Sequence, residues 1–158
     1  MNIYPPKVIP YYYVSRVFMY DEVNGGLIRK DNPNGRRPTA GVRGYIQRRL
    51  SIEYSHRKFF EHRMVYLYHN PNMDQSLSID HINGIKDDNR IENLRLVTYQ
   101  ENSFNRSNVI GFSWARGGWR TYIVADNKYI NLGNYDNKLD ARAAYLRAKK
   151  KYHKIEER

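Results

Sequence analysis

The chain has no cysteine among its 158 residues and no long apolar segment. The absence of cysteine excludes disulfides, thiolate zinc sites and cysteine nucleophiles, so a metal would have to be bound by His, Asp, Glu or Asn. The longest stretch free of Asp, Glu, Lys and Arg runs from Met64 to Met73, about half of the roughly 20 residues that a membrane-spanning helix needs. We therefore expect no transmembrane segment and no membrane partner. A cysteine-free chain is also consistent with a reducing cytoplasm.

Acidic residues are scarce relative to basic ones. The 27 Lys and Arg residues outnumber 16 Asp and Glu, which gives a formal net charge of +11. The usual partner of such a surplus is a polyanion, nucleic acid before an anionic membrane. Aromatic residues make up 14% of the chain, far more than a disordered basic tail carries. The composition therefore predicts a folded protein that binds nucleic acid.

The first two thirds of the chain combine short strands with short helices. Glu61 to His69 has apolar residues at helical spacing and precedes the Asn70-Pro71 break, which predicts one helix. Two apolar runs, Leu77 to Ile79 and Leu94 to Val97, flank a polar loop, and the Thr98 to Glu101 capping box begins another helix. A strand, loop, strand, helix unit is thus predicted over about residues 77 to 107. A meander of short strands is predicted before it, over Val17 to Tyr20, Gly26 to Lys30, Gly44 to Leu50 and Glu53 to Phe60.

The last third has the pattern of an antiparallel sheet followed by a helix. Asn137 stands three residues before Asp140, a signature of a helix start, and Leu139 to Tyr152 contains no helix breaker. We predict an α+β fold with two domains, residues 1–107 and 108–158. The three predicted strands alternate with a period near two and are separated by turn residues: Ile110 to Arg116, Trp119 to Asp126 and Lys128 to Tyr135.

The densest polar cluster lies between the two apolar runs. Asp80 and His81 stand at a strand end, Asn93 enters the next strand, and Asn102 lies in the following helix. If the strands pair and the helix packs back, all four side chains can converge. Asp80 and Asn102 would then offer oxygen ligands suited to Mg²⁺ or Mn²⁺. His81 could take a proton from water near neutral pH, and Asn93 could orient its imidazole.

These residues, with the upstream His62-Arg63 pair and the flanking Gly84, Asn89 and Leu94, resemble an HNH nuclease of the phage homing-endonuclease type. The resemblance implies a ββα-metal unit in which His81 is the general base and Asn93 positions it. It implies that Asp80 and Asn102 bind one divalent metal, Mg²⁺ or Mn²⁺. Asn at the last motif position favours an oxygen-ligated metal over zinc.

The implied reaction is metal-assisted hydrolysis of a phosphodiester bond in double-stranded DNA. One active site per chain predicts a monomer that nicks one strand, with no obligate protein partner. The expected location is the cytoplasm, that of the host cell if the protein is phage-encoded. Arg63 or His62 is expected to contact the scissile phosphate, and Arg90 or Arg95 to brace the DNA backbone.

The predicted C-terminal sheet interleaves aromatic and basic residues, a pattern suited to a DNA groove. From Asn108 to His153, including the Leu132-Gly133-Asn-Tyr135-Asp136 turn and the Ala-rich helix, the sequence resembles the Apetala-two (ethylene-response-factor) DNA-binding domain. Half of any strand's side chains face inward, so two or three of these residues are expected to be structural. The predicted DNA-binding residues are Trp114, Arg116, Trp119, Arg120, Tyr122 and Lys128, with Tyr129 beside them.

Other interpretations compete with a nuclease. An Asp-His pair before an Asn-Gly turn occurs in ordinary polar loops. The same motif could also be vestigial in a non-catalytic DNA-binding regulator. A structural nucleic-acid binder, including one for RNA, ranks lowest because no single-strand stacking module is recognisable.

Overall fold

The computed structural model describes residues 8–52, 55–105, 110–126 and 128–155, and their α+β architecture confirms the predicted fold class. The described residues divide into two compact units, one up to Asn102 and the other beginning at Ser103. The predicted domain boundary between residues 107 and 108 lies outside the described residues. The elements in chain order are α1 (Tyr11–Val17), β1 (Phe18–Tyr20), β2 (Leu27–Arg29), β3 (Gln47–Ile52), β4 (Ser55–Phe60), α2 (Glu61–His69), β5 (Ser78–His81), β6 (Leu94–Val97), α3 (Tyr99–Phe104), β7 (Phe112–Ala115), β8 (Gly118–Ala125), β9 (Lys128–Tyr135) and α4 (Lys138–Tyr152).

The first unit contains three separate antiparallel strand pairs, β1 with β2, β3 with β4, and β5 with β6. Its core surrounds α2, whose Met64, Val65 and Leu67 are fully buried. Burying each such side chain contributes about 1.5–3 kcal/mol. α2 has the predicted bounds, whereas α1 is a helix that the sequence analysis does not predict. Because Pro10 precedes a run of three tyrosines there, no helical apolar period marked that segment.

The β5–β6 pair and α3 form the predicted strand, loop, strand, helix unit. The register places Asp80 opposite Arg95 and His81 opposite Leu94. The expected capping box begins α3, because Glu101 N–H donates to Thr98 Oγ1 at 3.1 Å and the Thr98 N–H donates to the Glu101 carboxylate at 2.7 Å. These reciprocal bonds satisfy backbone donors that the helix itself cannot.

The second unit contains the predicted three-stranded antiparallel sheet, in the order β7-β8-β9, and the packed helix α4. Asn137 caps α4 by accepting a hydrogen bond from Asp140 N–H at 2.9 Å. Ile123 of β8 and Tyr145 of α4 are buried in the core. Gly111 has φ +72° and lies so close to the Tyr145 ring that a Cβ would stand 2.0 Å from a ring carbon. Glycine is therefore required there both by the backbone and by the packing.

No helix in the described ranges is both long and apolar enough to span a membrane.

Candidate active site

Asp80 and His81 are the last two residues of β5, and both are buried, with exposures of 7% and 4%. Consecutive strand residues face opposite sides. Asp80 therefore shares its face with the cross-strand Arg95, while His81 faces the rings of Tyr45 and His62, with centroids 6.0 and 5.0 Å away.

Arg95 binds the predicted metal ligand Asp80 rather than standing open to solvent. Its Nε and Nη2 donate to Asp80 Oδ2 at 3.0 and 2.7 Å. Two charge-assisted bonds to one oxygen hold the carboxylate in a fixed orientation. In this arrangement, the side chain expected to brace DNA orients a candidate metal ligand.

The side chain of Asn89 is hydrogen-bonded to His81. Its Oδ1 lies 3.1 Å from His81 Nε2, and its Nδ2 donates to Glu61 Oε2 at 3.0 Å. Asn89 and Glu61 are each 2% exposed. From the sequence, Asn89 is only a flanking motif position and Glu61 has no assigned role, because no local pattern relates two residues 28 positions apart.

Asn93 braces the loop between β5 and β6. Its side chain accepts from Asn83 N–H at 3.0 Å and donates to Asn83 Oδ1 at 3.0 Å and to the Asp88 carbonyl at 2.8 Å. These bonds fix the loop that carries Asn89. Direct orientation of His81 by Asn93 stays a prediction.

The same loop contains an ion pair between Arg90 and Asp88. Arg90 Nε and Nη2 each donate to Asp88 at 2.8 Å, and Asn83 donates to it at the same distance. The Arg90 hydrogen bond is the main reason that the pKa of Asp88 falls to about 2. The predicted contact of Arg90 with DNA is untested, and its guanidinium is half exposed.

Arg63 of α2 holds the segment that leads into β5. Its guanidinium donates to the carbonyls of Gln75 and Leu77 at 2.6 and 2.8 Å. Burial lowers the pKa of Arg63. The guanidinium of Arg63 thus already forms two structural hydrogen bonds. Its predicted contact with a scissile phosphate stays a prediction.

His62 lies in an aromatic cluster beside His81. Its ring stacks on Phe60 at 5.4 Å and approaches Tyr45 at the same distance. Burial, and then the neighbouring His81 and Arg63, lower the pKa of His62 to about 3. Its buried Nδ1 has no hydrogen-bond partner among the described residues. His62 is therefore neutral at physiological pH.

Lys86 contacts this aromatic cluster through the ring of Tyr45. Lys86 Nζ lies 5.0 Å from the Tyr45 ring centroid and donates to the Arg43 carbonyl at 3.1 Å. A cation over an aromatic face is attracted by about 0.5–1 kcal/mol at exposed sites. This modest contact joins the segment before β3 to the loop after β5.

Asn102 lies in α3, where its N–H donates to the Thr98 carbonyl at 3.0 Å. Among the described residues, no three His, Cys, Asp or Glu side chains are grouped to hold a metal ion. The predicted pair, one carboxylate from Asp80 and one amide oxygen from Asn102, fits Mg²⁺ or Mn²⁺, which keep water and phosphate oxygens as their other ligands.

The second unit divides the predicted DNA-binding residues between two faces of its sheet. Trp114 and Trp119 are directly opposite each other, with ring centroids 5.3 Å apart. They share the face of buried Thr121 and Ile123, which packs against α4. Lys138 lies over the Trp119 ring at 5.9 Å. The two tryptophans thus occupy the edge of a packed face.

The opposite face of the sheet is open. Arg120 and Tyr122 lie on it, and Tyr122 stacks on Tyr129 with centroids 4.5 Å apart. Tyr129 is 60% exposed. Arg116 occupies the β7–β8 turn with φ +50°, and Lys128 is exposed at the beginning of β9. This open face, defined by Arg120, Tyr122 and Tyr129, presents one cation and two aromatic rings.

Residues 59–104, which include α2, the β5–β6 pair and α3, match the model of a family described as HNH endonuclease. The match covers 46 of the 158 residues. No curated protein and no solved structure matches the chain. The matched segment contains Asp80, His81, Asn93 and Asn102, and it supports a nuclease, a phosphodiester hydrolase whose substrate is DNA.

Proposed function

We propose that the chain is a metal-dependent DNA endonuclease of the HNH homing type, which nicks one strand of double-stranded DNA. The single observation that carries this proposal is the placement of Asp80 and His81 side by side at the end of β5, inside the segment that matches the nuclease family. The surplus of positive charge supports DNA as the polyanion.

In the proposed reaction, His81 takes a proton from a water molecule while the oxygen of that water attacks phosphorus. The P–O bond to the new oxygen forms in line with the P–O3′ bond that breaks, and the departing 3′ oxygen is protonated by solvent. The products are a 5′-phosphate and a 3′-hydroxyl. Asp80 and Asn102 would hold one Mg²⁺ or Mn²⁺, which when bound stabilises the negative charge on the phosphate and the departing oxygen.

We propose that residues 1–107 form the catalytic domain and residues 108–158 an Apetala-two-like domain that recognises the target site. The open face supports this assignment, because Arg can bond guanine edges or phosphates and tyrosine can pack on sugars. The protein would act as a monomer in a cytoplasm, that of a host cell if a phage encodes it. Binding should weaken with salt, with a log-log slope of about −0.9 per phosphate neutralised.

A second candidate is a non-catalytic DNA-binding regulator with a vestigial nuclease motif. Two observations favour it: His81 is 4% exposed, and one oxygen of Asp80 is bonded to Arg95. A catalytic protein must expose His81 before a phosphate can reach it.

The experiment that separates the two is nicking of supercoiled DNA by wild type and His81→Ala in Mg²⁺, Mn²⁺ or EDTA. A nuclease should lose roughly 100- to 10,000-fold in rate without its general base, while DNA binding remains. Metal-dependent nicking that survives in His81→Ala would refute the assigned base. Tight, salt-sensitive binding by wild type without nicking of any DNA offered, including libraries of random sequence, would favour the regulator.

A further inference from the structure

A chain of buried hydrogen bonds connects His81 to Arg48, a residue outside the segment that matches the nuclease family. Arg48 Nε donates to Glu61 Oε1 at 2.8 Å, and Nη2 donates to the same oxygen at 2.5 Å. The other oxygen of Glu61 accepts from Asn89, and Asn89 in turn bonds His81. Of these side chains, only that of Arg48 is more than 10% exposed, at 14%.

The direction of every bond in this chain follows from its Arg48 end. A guanidinium can only donate, and Leu27 N–H also donates to Glu61 Oε1, at 3.1 Å. Glu61 is thus an ion-paired carboxylate, which accepts with both oxygens. The amide nitrogen of Asn89 must therefore face Glu61.

The orientation of Asn89 determines the hydrogen position on His81. With its nitrogen towards Glu61, Asn89 presents its oxygen to His81 Nε2, which must donate. A neutral imidazole carries one N–H, so the hydrogen is on Nε2 and the lone pair is on Nδ1. The tautomer is therefore imposed by residues that never touch the reacting atoms.

We propose that Glu61 and Asn89 are positioning residues that fix His81 in the Nε2–H tautomer, so that Nδ1 is the atom that takes the proton from the attacking water. The role of Nδ1 rests on the proposed nuclease function, whereas the tautomer itself does not. Arg48 is the anchor of this relay, which is defined by Arg48, Glu61, Asn89 and His81.

Glu61→Gln should reverse the relay without changing its shape. The new side-chain oxygen should face Arg48 and the Leu27 N–H, because both are donors, which leaves the new NH₂ facing Asn89. Asn89 must then rotate to accept, and its own NH₂ turns towards His81. Nε2 must become the acceptor, which moves the hydrogen to Nδ1.

The test is long-range ¹H–¹⁵N NMR of histidine rings at a pH where they are neutral. The His81 signals are those missing from His81→Ala. Wild type should show protonated Nε2, and Glu61→Gln should show protonated Nδ1. The matched control is Glu92→Gln, which changes a 65%-exposed carboxylate in the same region and should leave the His81 signals unchanged.

A wild-type spectrum with protonated Nδ1, or with both tautomers, would overturn the proposal without any variant. That measurement decides the matter even if Glu61→Gln fails to fold. A folded Glu61→Gln that retains the Nε2–H tautomer would overturn it as well.

The two proposals fail in different ways. If His81 is a general base, Glu61→Gln should lose roughly 100- to 10,000-fold in nicking rate, with DNA affinity unchanged and with Glu92→Gln as active as wild type. If no DNA is nicked at all, the nuclease function fails, but the tautomer reversal still stands or falls on the spectra alone.

Discussion

The two units use polar side chains in opposite ways. In the first, the polar residues at the centre of the candidate site are buried and hydrogen-bonded within the protein: Glu61, Asn89 and Asn93 are 2%, 2% and 7% exposed. In the second, Arg120 and Tyr129 stand on an open face of the sheet. Buried groups are oriented by the protein itself, whereas exposed groups keep their bonding capacity for a partner. The first unit should therefore be sensitive to single substitutions, and the second to salt.

The largest effect should come from Arg48→Ala. Removing the guanidinium leaves the Glu61 carboxylate, which is 3% exposed, without its counter-ion. Leaving one partner of a buried pair uncompensated costs about 3–5 kcal/mol. Urea unfolding should show that loss. The control Arg29→Ala breaks the exposed pair with Asp31 and should leave the midpoint unchanged, so equal losses in both variants would contradict the contrast between buried and exposed pairs.

A pair of glycine substitutions tests whether the interior of the second unit is as sensitive to substitution as that of the first. Gly111→Ala and Gly117→Ala both place a side chain at positive φ, which costs about 1–2 kcal/mol. Only Gly111 would also drive a Cβ into the Tyr145 ring, whereas nothing lies within 4 Å of Gly117. Overpacking typically adds about 1–3 kcal/mol.

Thermal unfolding should accordingly rank Gly111→Ala well below Gly117→Ala. The same melting temperature for both variants would mean that Tyr145 moves aside freely. The interior of the second unit would then tolerate substitution better than its close packing indicates.

Acidification should destabilise the first unit through His62. Its pKa is lowered to about 3 in the folded state, against about 6.5 in an unfolded chain. Between pH 3 and about pH 6.5, the unfolded state binds more protons than the folded state. The contribution of a neutral, buried His62 to the free energy of unfolding is therefore fully present above about pH 6.5 and is lost as the pH falls towards 3. The slope approaches about 1.4 kcal/mol per pH unit for one group.

His62→Phe, which keeps a ring in the aromatic cluster, should flatten this dependence in urea unfolding measured from pH 7 to pH 4.5. His69→Phe, the same change at the exposed end of α2, should not. An unchanged acid limb in His62→Phe would mean that another group titrates there. The lowered pKa of Asp88 acts in a separate window, below its unfolded value of 3.8.

The smallest effect on the protein itself should come from Arg120→Ala, which alters DNA binding and not folding. We expect affinity at low salt to fall about 5- to 150-fold if Arg120 contacts a base or phosphate, equivalent to about 1–3 kcal/mol. Arg142→Ala removes an exposed arginine from α4, on the other side of the sheet, and serves as the matched control. Equal losses of DNA affinity in Arg120→Ala and Arg142→Ala would mean that Arg120 makes no specific contact with DNA from the open face.

Local patterns in the sequence predicted the elements well. α2 has its predicted bounds because Asn70-Pro71 ends it, and the Thr98 to Glu101 capping box begins α3 as expected. β9 also has its predicted bounds. β5, in contrast, extends to His81, two residues beyond the apolar run, because buried polar residues interrupt the apolar pattern without interrupting the ladder.

Long-range partners could not be predicted from these patterns. Asp80 and His81 were recognised because their motif is local, but the side chain bonded to His81 belongs to Asn89, and the one bonded to Asn89 belongs to Glu61 at the beginning of α2. Pairing between residues 28 positions apart depends on the packing of α2 against the β5–β6 loop. Likewise, the alternation that predicted a sheet could not tell which face α4 would cover.

The position of Arg48 has a consequence for dissecting the molecule. The segment that matches the nuclease family begins at residue 59, yet the carboxylate of Glu61 inside that segment depends on a guanidinium from β3 and an N–H from β2. A fragment cut to the matched residues would expose an ionised side chain with neither partner. The recognisable motif and the smallest autonomous folding piece are therefore different lengths of chain, and deletions that spare every motif residue should still inactivate the protein once they pass Leu27.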